Sequence, residues 1–314
     1  MSFINRICDK VYVINLEKEK ERLNAFDTQM SKNRIKYERF NAVVGSKVLN
    51  DERLTDYCNM FCTDGMKGCA ISHRTIWEDI VKKGYQNVLI CEDDAMISDS
   101  FDRDFQNSYY HIPKDYDVLY LGCLFGCKDE SFLNKVITKV NGFDPKEINE
   151  KVVEVKGVVG THSYIVSLEG AKKLIANPIS FHIDTQMMYW IKLYNYKSYA
   201  LNPILVDSSQ DESNLSDTYP NLLNSLFKNV EVNNLKRAST LDWFINESFL
   251  KVGIFNINYL ILVLMILVFF IPKKFIFLIY VWLLIELIYS KDFKNTFRYF
   301  LLLSIPVLIK YLKK

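Results

Sequence analysis

Glu92, Asp93 and Asp94 close an apolar run, Val88-Leu89-Ile90-Cys91, and adjacent carboxylates of this kind can hold a divalent cation. Oxygen-only ligands suit Mn²⁺ or Mg²⁺, ions that bridge one or two protein carboxylates to substrate phosphates instead of sitting in a full protein cage. An apolar strand cannot keep unpaired acids in its interior, so the acids belong at its mouth. Alternation along an extended chain puts Glu92 and Asp94 on one side, as metal ligands, and Asp93 on the other. The plain alternative is an acidic start to a solvated loop, and the neighbouring segments argue against it.

Two further residues carry proton-transfer chemistry. Asp184 opens an apolar helical pattern, Ile183 to Trp190, where a helix N-cap explains it most simply and a general base beside a pocket is the second reading. His73 follows Gly65-Met66-Lys67-Gly68-Cys69-Ala70-Ile71-Ser72. Glycines before a helical pattern suggest a tight loop feeding a helix N-terminus, which offers N–H groups to phosphate, so Gly68 and Ser72 become candidate donor contacts. For His73 the plain reading is a buried histidine pinned at the helix start, and the functional one is a second candidate base or a phosphate or sugar contact.

The elements that must position these residues alternate strand and helix. Val11 to Leu16 reads as a first strand, Glu17 to Met30 as a charged helix, and the acidic strand follows the helix that Gly84 ends. Further strands fall at Tyr116 to Gly122, Gly160 to Ser167 and Leu201 to Asp207, with a helix from Leu168 to Ala176 stopped by Asn177-Pro178. In an open α/β sheet ligands collect beyond the carboxyl ends of strands, which places Asn15 and Leu16 beside any nucleotide pocket, with an ordinary turn as the other reading of Asn15.

The order of these blocks resembles glycosyltransferase family 25. Val13-Ile14-Asn15-Leu16, Gly68 to His73, Leu89 to Asp94, Thr161 to Ser167 with Gly170-Ala171, and Ile183-Asp184 carry the resemblance. It implies a GT-A-type fold, a Rossmann-like α/β/α nucleotide-sugar-binding domain. The implied reaction is inverting transfer of a hexose, often galactose from UDP-galactose, to a hydroxyl of a glycan, lipid-linked or glycoprotein acceptor, as in lipopolysaccharide or glycan biosynthesis. Glu92, Asp93 and Asp94 would then form the Mn²⁺ and diphosphate site. Gln210, Ser216 and Asp217 fit the family's late Gln and Ser-Asp pattern only loosely.

Charge and hydropathy divide the 314 residues unevenly. Residues 1–251 hold 31 basic and 35 acidic side chains, whereas 252–314 hold eight and two. An acidic globular part argues against a nucleic-acid binder. Val252 to Ile271 is an uncharged run of 20 residues, long enough to cross a bilayer as one helix. Phe275 to Tyr289 and Phe297 to Leu312 follow, the latter broken by Pro306, and the three can span, re-enter or form a shallow hairpin. The expected organisation is a catalytic domain over 1–220, a helical connector over 221–250 and an apolar helical membrane tail over 251–314. The seven cysteines and the absence of a secretory signal before the first strand point to reduced thiols and a cytoplasmic catalytic domain attached to a membrane. Cys58-x₃-Cys62 with Cys123-x₃-Cys127 could make a thiolate zinc site, with free buried cysteines as the default.

A membrane-associated, metal-dependent hexosyltransferase is therefore the leading expectation. The rivals are a metal-dependent nucleotidyl or phosphoryl transferase, for which Lys67 and Arg74 are the obvious phosphate-binding cations, and a catalytically inactive relative acting as a membrane-tethered binding protein.

Overall fold

The computed structural model describes residues 2–127, 132–209, 219–220, 222–223 and 248–312. The chain forms two compact units: Met1–Asn59 with Met66–Asp211, and Met60–Gly65 with Glu212–Lys314.

The first unit is mixed α/β. Its strands are β1 (Lys10–Asn15), β2 (Glu38–Asn41), β3 (Asn87–Glu92), β4 (Ala95–Ile97), β5 (Val118–Tyr120), β6 (Lys146–Asn149), β7 (Val152–Glu154), β8 (Ser163–Ser167), β9 (Ser198–Leu201) and β10 (Val206–Ser208). Eight of them form one sheet in the order β2-β1-β3-β8-β5-β9-β7-β6, and β4 pairs with β10 separately. β1 runs parallel to both β2 and β3, β5 runs parallel to β9, and β8 lies antiparallel between β3 and β5.

The helices are α1 (Ile4–Ile7), α2 (Lys20–Lys32), α3 (Asp56–Phe61), α4 (Asp64–Lys83), α5 (Phe101–Tyr109), α6 (Phe132–Asn141), α7 (Leu168–Leu174) and α8 (Ile183–Tyr194). Period-two alternation sorts the sheet's side chains. Val11, Val13, Leu89, Cys91, Leu119 and Ile165 join one core with Phe26 and Met30 of α2 and Phe101 and Phe105 of α5. On the opposite face Tyr12 donates to Asp79 at 2.7 Å, and Tyr164 meets Trp77 and His73 of α4. Strands covered on both faces read as continuous apolar runs, as β1, β3 and β8 do.

Three expectations change here. Gly65 to Arg74 is not a loop, because α4 starts at Asp64 and carries all of it as helix. Gly68 serves packing instead: a Cβ there would come within 2.5 Å of the Val43 carbonyl and 2.9 Å of the Gly45 nitrogen. The cysteine expectation also shifts. Cys58 and Cys62 are disulfide-bonded, and Cys123 and Cys127 are joined to each other, their Cα atoms 6.4 Å apart and so within bridging range, leaving Cys8, Cys69 and Cys91 outside any disulfide. Neither x₃ pair is therefore a zinc ligand set.

The second unit holds the hairpin β11 (Ser248–Val252) and β12 (Phe255–Asn258), followed by helices α9 (Tyr259–Phe270), α10 (Phe277–Ser290) and α11 (Phe293–Leu312). Its core gathers Tyr219, Ile261, Val268, Ile279, Leu283 and Leu303. The uncharged run from Val252 is not one helix. Gly253 takes φ +58°, turning the chain between two strands, and the helix begins only at Tyr259, where the Asn258 side chain accepts from the Ile261 N–H. No helix among the described residues is long and apolar enough to cross a membrane. Pro306 does not break the third run, since α11 continues through it with Leu302, Leu303 and Pro306 on its buried face. The expected connector and Gln210, Ser216 and Asp217 lie almost wholly outside the described residues.

Candidate functional site

β3 ends at Glu92, and Asp93 and Asp94 form the turn into β4, so the three acids leave the strand in different directions. Glu92 accepts from the Thr161 hydroxyl at 2.7 Å and lies 3.5 Å from His73 Nε2. Burial opposes its ionisation, but the His73 ring and the Thr161 hydroxyl outweigh that and hold the acid down at about 2. Asp93 turns toward β1 and α2, where Asn15 donates to it at 2.7 Å and Arg22 pairs with it at 2.7 Å. Asp94 accepts from Ser208 of β10 at 2.9 Å, lies 3.9 Å from Arg22, and keeps its second oxygen buried without a partner. Burial first and the charge of Glu92 second push Asp94 up to about 7.

Asp184 belongs to this cluster and is not the helix cap. His182 occupies the N-cap of α8, and the Asp184 carboxylate turns instead to the Thr161 hydroxyl at 2.6 Å. Thr161 thus touches Glu92 and Asp184 together, and a hydroxyl has one proton to give. His162, the next residue, is buried near both acids. Its burial lowers the imidazole pKa, against the opposing charge of Glu92.

His73 sits in the middle of α4, fully buried. Trp77 donates to the Tyr164 oxygen at 2.9 Å, which leaves the Tyr164 hydrogen for His73 Nδ1 at 2.8 Å and places the ring's own hydrogen on Nε2, toward Glu92. Sequence reasoning expected a histidine at a helix start. The ring is instead held through Nδ1 by Tyr164, with Nε2 3.5 Å from Glu92 and without a hydrogen-bond partner.

Asn15 is buried at the end of β1, giving hydrogen bonds to Asp93 and the Glu19 carbonyl and accepting one from Arg39 at 2.8 Å. Leu16 follows it in the turn before α2, its carbonyl accepting from the Glu19 N–H at 2.9 Å. Ser72 and Gly68 work together elsewhere: the Ser72 hydroxyl donates to the Gly68 carbonyl at 2.6 Å and accepts from the Val43 N–H at 2.8 Å. They fasten the chain after β2 to α4, a packing contact with no phosphate-loop geometry.

The cations named from sequence are also spent on structure. Lys67 donates to the Asn59 carbonyl, and Arg74 caps α7 and the chain after it through the carbonyls of Leu174, Ile175 and Asn177. Arg22 is the cation at the acids, and sequence reasoning missed it because α2 reads as an ordinary charged helix. Its only signal was that α2 leaves the same β1 end that carries Asn15.

Second-layer contacts hold Ser208 in reach. Leu205 and Val206 donate to the Leu121 carbonyl at 2.8 and 3.1 Å, and β10 then pairs with β4 beside Asp94. A Cβ on Gly122 would fall 2.1 Å from the Val206 carbonyl and 2.3 Å from His162 Nε2. Only glycine admits that approach.

The donor set does not converge as the acid triplet suggests. Among the described residues the one group of three metal-capable side chains with ligand atoms within 4.8 Å of one another is Cys69, His73 and Glu92. Asp93 is withdrawn by Arg22 and Asn15. Asp94 keeps one buried oxygen without a hydrogen-bond partner, and carboxylate oxygens are the donors that a hard divalent cation takes.

Residues 8–187 match the family described as glycosyltransferase family 25 (LPS biosynthesis protein). Human procollagen galactosyltransferase 2 is 26% identical over 185 residues, covering 54% of this chain and 28% of the relative. A glycosyltransferase 25 family member of Anopheles gambiae is 30% identical over 65% of this chain and 32% of its own. The mouse inactive glycosyltransferase 25 family member 3 is 25% identical over 67% of this chain and 39% of its own. The chain thus spans about a third of the length of the curated relatives it matches.

Proposed function

Since the chain belongs to glycosyltransferase family 25, we propose that it transfers a hexose from a nucleotide-sugar donor to a hydroxyl of a glycan or glycoprotein acceptor. UDP-galactose is the first donor to examine, because relatives of this chain are named procollagen galactosyltransferases. The observation that carries the reading is the cluster at the carboxyl end of β3, where Glu92, Asp94 and Asp184 meet Arg22, Thr161 and Ser208. Ligands of open α/β sheets collect at such strand ends.

Glu92 and Asp94 would hold Mn²⁺ or Mg²⁺, which when bound supplies Lewis-acid neutralisation of the departing diphosphate. Arg22 adds a fixed positive charge on the same side. Asp184 is the proposed base: its carboxylate takes the proton of the acceptor hydroxyl as that oxygen bonds to the sugar's anomeric carbon and the bond to the diphosphate oxygen breaks. A single displacement of this kind inverts the anomeric configuration. Thr161 orients Asp184 from one side, and His73, held by Tyr164, sets its Nε2 3.5 Å from Glu92.

The test is sugar-nucleotide turnover by the purified protein, screened over UDP-, GDP- and CMP-sugars with Mn²⁺ and with EDTA, beside Asp94→Ala. Metal-dependent release of one nucleotide, lost in the variant, is expected. Absence of turnover with retained nucleotide binding would assign the chain to the inactive kind represented by the mouse relative.

A further inference from the structure

α9 has no charged residue and only Tyr259 carries a polar group, yet much of its surface faces outward. Ile266 is 58% and Phe270 78% exposed. A helix that is apolar all round is stable against protein or hydrocarbon and is out of place in water. The same holds for its neighbours. Ile288 of α10 is 69% exposed and Leu308 of α11 61%, and the rings of Phe293, Phe297 and Phe300 follow one another along one side of α11. Twenty-three large apolar side chains between Tyr259 and Leu312 are exposed, a density that isolated surface leucines do not explain.

The interior of this unit holds several of its polar groups. Glu286 is fully buried and accepts from the N–H groups of Leu222 and Leu223 at 2.9 and 3.3 Å. Asn258 donates to Tyr299 at 2.6 Å, and Tyr219 to Thr296 at 3.0 Å, all within the core. The open end of α9 is closed as well: Lys310 reaches the Val268 and Phe269 carbonyls at 2.8 and 3.1 Å. Backbone groups in hydrocarbon must be satisfied internally, and here a lysine does it.

Length sets how far such a unit can enter. At 1.5 Å per residue the 12 residues of α9 and 14 of α10 reach about 18 and 21 Å, against about 30 Å of hydrocarbon, while the 20 residues of α11 reach about 30 Å but carry Lys294, Arg298 and Lys310, so none is both long and apolar enough to cross. Charge selects the surface. Lys273 and Lys274 occupy the α9–α10 turn, Lys291 and Lys294 flank the start of α11, and all four are exposed. Basic groups at the ends of apolar helices suit anionic headgroups.

We propose that α9, α10 and α11 form an interfacial anchor that sinks into one leaflet of an anionic phospholipid bilayer without crossing it. The anchor is independent of sugar transfer, and binding is read without turnover.

The test is flotation of the full-length chain with vesicles of phosphatidylcholine alone and with phosphatidylglycerol added, at low and high salt. Flotation with the anionic vesicles, weakened by salt, is expected. Lys273→Ala with Lys274→Ala should weaken partition by about thirtyfold, at the usual contribution of a basic residue near such a surface. Ile266→Glu with Phe270→Glu, at exposed positions, should abolish it while the circular dichroism of the chain is unchanged. A protein that stays in solution beside both vesicle types, whether as a dimer whose contact the Ile266 and Phe270 variants disperse or as a monomer, overturns the proposal. So does resistance to alkaline carbonate extraction, which marks a spanning protein.

Discussion

Asp94 and Glu92 are two residues apart in sequence, and their surroundings shift their acidities in opposite directions, which makes pH a probe of each. Asp94 titrates near 7 in the folded chain against an ordinary value near 4, so the unfolded chain ionises first. Its contribution to stability therefore falls as pH rises between those values. Asp94→Asn should remove that loss: in urea titrations the variant gains on the parent protein at pH 8 relative to pH 5, while the proposed transferase activity is lost. Glu92, held at about 2 against an ordinary 4.5, does the reverse, contributing stability above its ordinary value that disappears as pH falls through that window. Asp184→Asn addresses the base. A loss of about 10²- to 10⁴-fold in kcat is expected with the nucleotide Kd within a few-fold of the parent's, read by steady-state kinetics and calorimetry. Glu92, Asp94 and Asp184 could be singled out from sequence because adjacent acids close an apolar run and an acid opens an apolar helical pattern. Arg22, Thr161, His162 and Ser208 could not, because each is an ordinary residue in its own segment and is brought to the acids by chain folding alone.

At the scale of elements, α4 shows where sequence reasoning fails and why. A glycine that lets a phosphate approach and a glycine that lets another backbone approach have the same letter. Gly68 is of the second kind, and Ser72 closes the same contact with the Val43 N–H. Gly68→Ala tests this by sign. In an exposed helix the change stabilises by about 1 kcal/mol, but with Val43 and Gly45 in the way it should destabilise by about 1–3 kcal/mol in urea unfolding. Nucleotide binding by whatever fraction is folded should stay unchanged. The strands were easier to read than the loops, since β1, β3 and β8 are short β-branched runs bounded by polar residues. The long apolar tail misled for a related reason: hydropathy sums over Gly253 and Asn258, whereas the backbone turns at one and caps a helix at the other.

For the whole molecule, the division into two units separates two kinds of surface. The first unit contains nearly all of the family match and every residue of the candidate site. A chain ending at Asp211 should keep metal-dependent donor hydrolysis within a few-fold and lose flotation with anionic vesicles; loss of hydrolysis with an unchanged circular dichroism spectrum would sink this assignment. The acidic balance of residues 1–251 and the basic balance of the rest also fit this partition.

The close approach at Gly122 bears on mapping this protein by mutation. Position 122 touches Val206 and His162. β10 lies against the end of β5 only because a side chain is absent there, and Ser208 reaches Asp94 only because β10 lies so close. A saturation library at 122 would register inactive clones across nearly every substitution, small or large, charged or neutral. Ranked by distance from the carboxylates it would be filed as a scaffold position, yet its phenotype would copy that of the acids.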